Sequence, residues 1–235
     1  LSIYFDIETI GTENQAVIDE LTLPIFESAK AEAESVKPPA NYKSQDVIDK
    51  WWAESGEAKK AATLQEAKVK ADEAVKQTAF DGGYGRIICI GYAFGNDDVK
   101  TIVGNERDIL VKFFLDLTAH AALKFIGHNI ANFDLPFLHK RAIVLGIKPP
   151  ELIPFGAKPW DTKIGDTMQM WDAQKRTSLD KLCKILGIES PKGDMTGADV
   201  WDAFRLGKID EIAAYCAKDV HATRTVYKRI VFGGR

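Results

Sequence analysis

Two acids, Asp6 and Glu8, stand two residues apart near the start of the chain, in a stretch where Ile3, Phe5 and Ile7 alternate with Tyr4, Asp6 and Glu8. On a β-strand, side chains at i and i+2 project from the same face, roughly 6.5 to 7 Å apart. Two carboxylates on one face of an otherwise apolar strand repel each other unless a cation lies between them. Taken alone, the pair also describes a sheet edge with two solvated acids. A third acid, Asp134, closes the run Gly127-His128-Asn129-Ile130-Ala131-Asn132-Phe133-Asp134, directly after an apolar segment. An Asp there also suits a helix N-cap. A fourth, Asp219, follows Tyr215 by four residues, a spacing that puts both on one helix face about 5 to 6 Å apart at Cβ. The apolar set around them, Ile209, Ile212, Cys216 and Val220, has a core-like period. Tyr215 and Asp219 therefore border a buried stripe, where an unpaired carboxylate is costly.

These residues need elements to hold them. Ser2 to Thr9 reads as a strand. Arg86–Phe94 and Val99–Val103 flank the turn signal Asn96-Asp97-Asp98 and read as a hairpin. Asn105 can cap a helix from Glu106 to about Thr118; Leu123–His128 reads as a strand, and Asp134–Leu145 as a helix ended by Gly146. Thr167–Met170 is expected as a further strand, followed by helices over Ser178–Leu186, Ala198–Leu206 and Ile209 to about Ile230. Between the first strand and Arg86 the composition changes. From about Pro24 to Ala79 the chain is rich in Ala, Glu and Lys, broken at Lys37-Pro38-Pro39 and at Ser55-Gly56. A helix is expected over Glu57–Ala79, with a shallow stripe of Leu64, Ala67, Ala71, Ala74 and Thr78. Trp51 and Trp52 are expected to pack this segment onto the body, with base stacking as their alternative role.

Phe5-Asp6-Ile7-Glu8-Thr9, Asn129 through Phe133-Asp134, and Tyr215-x-x-x-Asp219 resemble, in order, the three exonuclease motifs of the DEDD superfamily of 3′→5′ exonucleases. The stretch Ser178-Leu179-Asp180-Lys181-Leu182 and the tail from Gly197 to Asp219 are similar to the proofreading domains of family B DNA polymerases. Tyr215 stands four residues before the last Asp, and Ala214 stands where another branch carries His, so the resemblance is to the Tyr branch. It covers Leu1 to about Thr22 and Asp81 to Ile230. It implies one α/β domain over 1–235, a ribonuclease-H-like mixed sheet flanked by helices, with a helical insertion at about 24–79. It also implies two divalent ions, Mg²⁺ or Mn²⁺, for which clustered carboxylates are suitable hard donors. Asp6 would bridge both ions, Glu8 and Asp219 would hold the ion that activates water, and Asp134 would hold the second. Tyr215 would orient the attacking water, and Thr9, Asn129 and Phe133 would seat the terminal nucleotide.

The chain of 235 residues has a net charge of −3, which argues against binding nucleic acid through bulk basicity. Leu135–Ile185, however, carries nine Lys and Arg against five Asp and Glu. That makes Lys140, Arg141, Lys175, Arg176, Lys181 and Lys184 candidates for phosphate contacts. No apolar run approaches membrane-spanning length. Cys89, Cys183 and Cys216 lack metal-ligand spacing and read as reduced thiols of a cytoplasmic protein. Because the chain ends soon after the third motif, the expected function is a stand-alone 3′→5′ exonuclease acting on single-stranded DNA ends. The alternatives are a 3′→5′ exoribonuclease and a catalytically inactive nucleic-acid-binding module. The insertion is expected either to govern strand access or to bind a protein partner.

Overall fold

A computed structural model describes residues 1–191, 193 and 195–232. The chain divides into two compact units, Leu1–Gly11 with Ala79–Arg235, and Thr12–Thr78.

The first unit is built on five strands, β1 (Ser2–Ile10), β2 (Arg86–Phe94), β3 (Lys100–Val103), β4 (Lys124–Gly127) and β5 (Ile164–Asp166), in the spatial order β3-β2-β1-β4-β5. β1, β2 and β3 pair antiparallel, whereas β1–β4 and β4–β5 are parallel. The hairpin turns at Asn96-Asp97-Asp98, where the Asp97 amide donates to the Phe94 carbonyl at 2.9 Å. The parallel connections need crossovers. These are α4 (Glu106–Thr118), whose N-cap Asn105 accepts from the Arg107 amide at 3.0 Å, and α5 (Asp134–Leu145), stopped by Gly146 at φ +62°. The left-handed φ at Gly146 carries no Cβ penalty.

The two faces of β1 are covered differently, as its alternation requires. Ile3, Phe5 and Ile7 enter the main core with Ile87, Ile90 and Tyr92 of β2, Phe113 and Leu117 of α4, and Leu138 of α5. Tyr4 and Ile10 face the other way, toward α9 (Ile209–Ile230), which contributes Ile212, Cys216 and Val220. α8 (Val200–Arg205), preceded by a 3₁₀ turn over Gly197–Asp199, and α7 (Leu179–Leu186) complete that layer, with Leu182 and Cys183 against Ala222 and Val226.

Thr167–Met170 is helical, not extended: the strand is Ile164–Asp166, and α6 (Thr167–Trp171) follows at once. The reason is Asp166, whose carboxylate accepts from the Met168 and Gln169 amides and so caps a helix at the point where the strand ends.

The second unit contains α1 (Gln15–Ser35), α2 (Gln45–Trp51) and α3 (Glu57–Gln77). α1 runs through Pro24, so the helical segment begins before that residue. The break at Lys37-Pro38-Pro39 separates α1 from α2, but Ser55-Gly56 does not interrupt the chain's helical course. It lies in a π turn, Trp52–Gly56, where a Cβ on Gly56 would meet the Trp52 ring at 2.2 Å. Trp51 is buried and packs edge-on against Trp52, with Lys59 and Lys60 over the two rings. The buried stripe of α3 is Ala67, Ala71 and Val75, while Leu64 is exposed. Among the described residues, no helix is long and apolar enough to cross a membrane.

Arg141 is not a phosphate contact. Its side chain is buried and forked onto Glu106, with Nε to Oε1 at 2.8 Å and Nη2 to Oε2 at 2.7 Å. Nη1 donates to the Gly82 carbonyl at 3.2 Å, and Glu106 Oε1 also accepts from the Ile87 amide at 2.7 Å. One ion pair thus joins α5, α4, the turn before β2 and the start of β2. Lys140, next in sequence, makes an exposed bridge to Asp81. Arg141→Ala should leave Glu106 charged, buried and unmatched, lowering stability by about 3 to 5 kcal/mol in chemical denaturation. Lys140→Ala should cost less than about 1 kcal/mol, because that pair is solvent-screened. Equal losses would show that the buried pair is not the structural contact described here.

Candidate active site

The site forms where β1 outruns its neighbour. β4 pairs with β1 only from Ser2 to Tyr4, so the β1 edge beyond Tyr4 is open on that side. The Ile7 amide on this edge is satisfied by a side chain instead: Asp134 Oδ1 accepts from it at 3.2 Å. Ile7 lies between Asp6 and Glu8, so this one bond brings the second motif onto the first. Directly after Glu8 the register with β2 shifts, a bulge of the kind that re-aims side chains beside sites.

α9 supplies the third motif. Asp6 pairs across the sheet with Gly91, and a Cβ on Gly91 would come within 2.8 Å of Cys216 Sγ and 3.1 Å of Val220. The missing side chain lets α9 lie directly on the sheet beneath Asp6. The Cys216 thiol reaches the Asp6 carbonyl at 3.6 Å and Asp6 Oδ2 at 3.7 Å. On the same helix Tyr215 stands one turn before Asp219, close enough for the Asp219 charge to act on its phenol. Asp6, Glu8 and Cys216 offer ligand atoms within 4.8 Å of one another.

The electrostatics follow from that crowding. Burial, then the charges of Glu8, Asp219 and Asp134, push the Asp6 carboxyl well above the usual carboxylate range. Glu8 is raised by burial, then by Asp219, Cys89 and Asp134, and a hydrogen bond with Asp6 partly opposes the shift. Asp134 is pushed up to about 7, mainly by burial, against the pull of its own amide and that of Ile7. Burial and the Asp219 charge drive the Tyr215 phenol far up, so it stays protonated at working pH. Cys216 is held as a neutral thiol by its hydrogen bond with Cys89 and by burial. Such a set of hard oxygen donors, costly to ionise together, fits divalent cations of the Mg²⁺ or Mn²⁺ kind. The residues that could hold them are Asp6, Glu8, Asp134 and Asp219.

The loop leading to Asp134 is fixed by Asp166, which sequence reasoning had missed. Its carboxylate is fully buried and accepts from the Asn129 amide at 3.0 Å and the Ala131 amide at 3.1 Å, in addition to the two amides of α6. Asn129 sits at φ +66°, a left-handed conformation that Asn tolerates better than most residues. Its side-chain oxygen accepts from Asn132 Nδ2 at 3.3 Å. Next to it, His128 bridges Thr167 Oγ1 and the Thr177 carbonyl, both at 2.9 Å, and burial lowers its pKa. That bridge anchors the exposed loop carrying Lys175 and Arg176 at the end of β4. Lys181 is also exposed, whereas Lys184 is bonded to Asp180 at 3.0 Å.

Of the expected nucleotide contacts, Thr9 uses its hydroxyl hydrogen on the Ala79 carbonyl at 2.8 Å. Phe133 is half-buried at the N-terminus of α5, with its ring 5.6 Å from that of Phe137 and 6.4 Å from that of Phe80. His221, which the motif leaves out, is exposed and contacts Arg224.

Comparison with known proteins agrees with this architecture. A family model described as a predicted 3′–5′ exonuclease related to the exonuclease domain of PolB matches residues 84–233. An uncharacterized protein of Methanocaldococcus jannaschii is 27% identical over 158 residues, covering 62% of this chain and 86% of that protein. A DNA polymerase of Archaeoglobus fulgidus is 23% identical over 159 residues, covering 62% of this chain and 20% of the polymerase. Among solved structures, the family B DNA polymerase of Pyrobaculum calidifontis aligns with a TM-score of 0.53 and 17% identity, over 64% of this chain and 22% of that one. The matches span only about a fifth of either polymerase, and the structural one shows a shared ribonuclease-H-like fold. The chain belongs to the family of predicted 3′–5′ exonucleases related to the exonuclease domain of PolB.

Proposed function

We propose that this chain is a metal-dependent 3′→5′ exonuclease that hydrolyses single-stranded DNA from its 3′ end. The observation that carries the reading is the convergence of Asp6, Glu8 and Asp134 around the Ile7 amide, with Tyr215 and Asp219 presented by α9. The chemistry is assigned to the unit formed by Leu1–Gly11 and Ala79 onward, with Thr12–Thr78 as a helical insertion. Three buried cysteines without disulfides support work in a reducing compartment such as the cytoplasm.

Asp6, Glu8, Asp134 and Asp219 would hold two divalent cations, which when bound stabilise the attacking and leaving oxygens of an in-line displacement at phosphorus. Asp6 would serve both cations, a reading supported by its being within electrostatic reach of Glu8, Asp219 and Asp134 alike. The Ile7 amide fixes one oxygen of Asp134 and so sets how that carboxylate meets the leaving side. Tyr215, kept protonated beside Asp219, would offer its phenol hydroxyl as a hydrogen-bonding partner for the incoming water. Its raised pKa makes it an orienting group, not a proton acceptor. Water attacks phosphorus and gives its proton to solvent, the bond to the 3′-oxygen breaks as that oxygen takes a proton from solvent, and a nucleoside 5′-monophosphate departs.

Release of label from 3′-labelled but not 5′-labelled single-stranded DNA as mononucleotide, in Mn²⁺, is the direct test. Faster release from RNA would reassign the substrate. Asp6→Asn should abolish release with the fold intact by circular dichroism. Tyr215→Phe should slow it by about 10²-fold or less, the lower range for a positioned acid–base group. A loss below about tenfold in Asp6→Asn would overturn the metal assignment.

The acids also set a pH dependence for the metal-free protein. Their folded-state pKa values lie above the unfolded value near 4, so the stability they contribute is full below about pH 4. It is lost as pH rises through about 7, where Asp134 ionises. Melting temperature in EDTA should therefore fall between about pH 5 and pH 8, and Mg²⁺ should raise it more at the upper pH. A flat EDTA profile would mean that the acids are not crowded as described.

A further inference from the structure

The main core is continued toward the surface by a row of rings. Phe137 is buried, Phe133 is half-buried against it, and Phe80 stands beyond Phe133 with 67% of its surface exposed. The row ends at Phe80, whose ring is mostly exposed.

Phe80 is nonetheless tied to the residues that adjoin the acids in sequence. It closes the 3₁₀ turn Thr78–Phe80, and the carbonyl just before it accepts from Thr9 Oγ1, the residue after Glu8. Its ring meets Phe133, the residue before Asp134. Phe80 is therefore linked to the first motif through the backbone of the residue before it and to the second through its ring. Phe80 also lies outside residues 84–233, which the family model matches.

We propose that Phe80 stacks on the nucleobase of the 3′-terminal nucleotide, extending the Phe137–Phe133–Phe80 row by one further ring. The inference rests on the reading of the site as a nuclease. A flat aromatic face suits any base, because every base has a π-face and stacking does not read base edges. Fixing the base on Phe80 would help hold the terminal nucleotide at the site while leaving the sequence unread. The position therefore predicts binding that tolerates all four bases and depends on the presence of a base.

The test compares wild-type protein, Phe80→Ala and Phe80→Trp on single-stranded oligonucleotides ending in a normal nucleotide, in 2-aminopurine or in an abasic residue. The substitutions should not disturb folding, since the ring is mostly exposed. Phe80→Ala should raise KM on the normal strand by about 5- to 100-fold and abolish the quenching of terminal 2-aminopurine fluorescence, with a smaller effect on kcat. Phe80→Trp should restore both. On the abasic strand the difference between wild type and Phe80→Ala should disappear, because the coupling is between ring and base. Wild-type KM in Phe80→Ala, or an equal loss on the abasic strand, overturns the role of Phe80 and leaves the nuclease reading standing. Failure of the wild-type protein to release 3′ label from any strand overturns the nuclease reading itself.

Discussion

Like charges held close together out of water repel, and that repulsion is the constraint around which this unit is arranged. Asp6, Glu8 and Asp134 are each pushed toward the protonated form, chiefly by burial and then by neighbouring acids, Asp166 first among them for Asp134. No solvated surface would keep carboxylates in that arrangement, so the backbone and core must. The Ile7 amide holds Asp134, the pairing of β1 with β2 fixes Asp6 and Glu8, and α9 lies close enough to complete the ring. Each restraint comes from a different part of the chain, and a divalent cation would turn the stored repulsion into affinity.

The second restraint is local order in the loop before Asp134. A single carboxylate, Asp166, gathers amides from the 129–131 turn and from the start of α6. Behind it the Arg141–Glu106 fork ties α4 and α5 to the start of β2. Both are buried polar contacts, and between them they hold the turn before Asp134 and the helix that begins with it.

What could be read from the sequence was what repeats locally. The alternation in Ser2–Thr9 placed Asp6 and Glu8 on one face, and the helical period of Ile209–Ile230 placed Tyr215 and Asp219 beside a buried stripe. Asn105 and Gly146 marked helix ends because their roles involve only nearby backbone. Contacts that depend on distant partners were not legible. Arg141 sits in a basic stretch, and nothing near it announces Glu106, 35 residues earlier. Thr167–Met170 looks extended until Asp166 is seen capping it. Phe80 and Phe133 are adjacent only after the chain has folded. Pro24 suggested a boundary, but α1 continues through it.

Gly91 carries a consequence for how this family can vary. Its hydrogen atom is the spacer between the sheet and α9, and α9 moves Tyr215 and Asp219 as one body. A methyl group added there would lift both residues away from Asp6 together, so a change in the apolar core and a change in the reactive cluster would have the same phenotype. The spacing between sheet and helix at Gly91 therefore bears on the acidic cluster as directly as a change in the acids themselves.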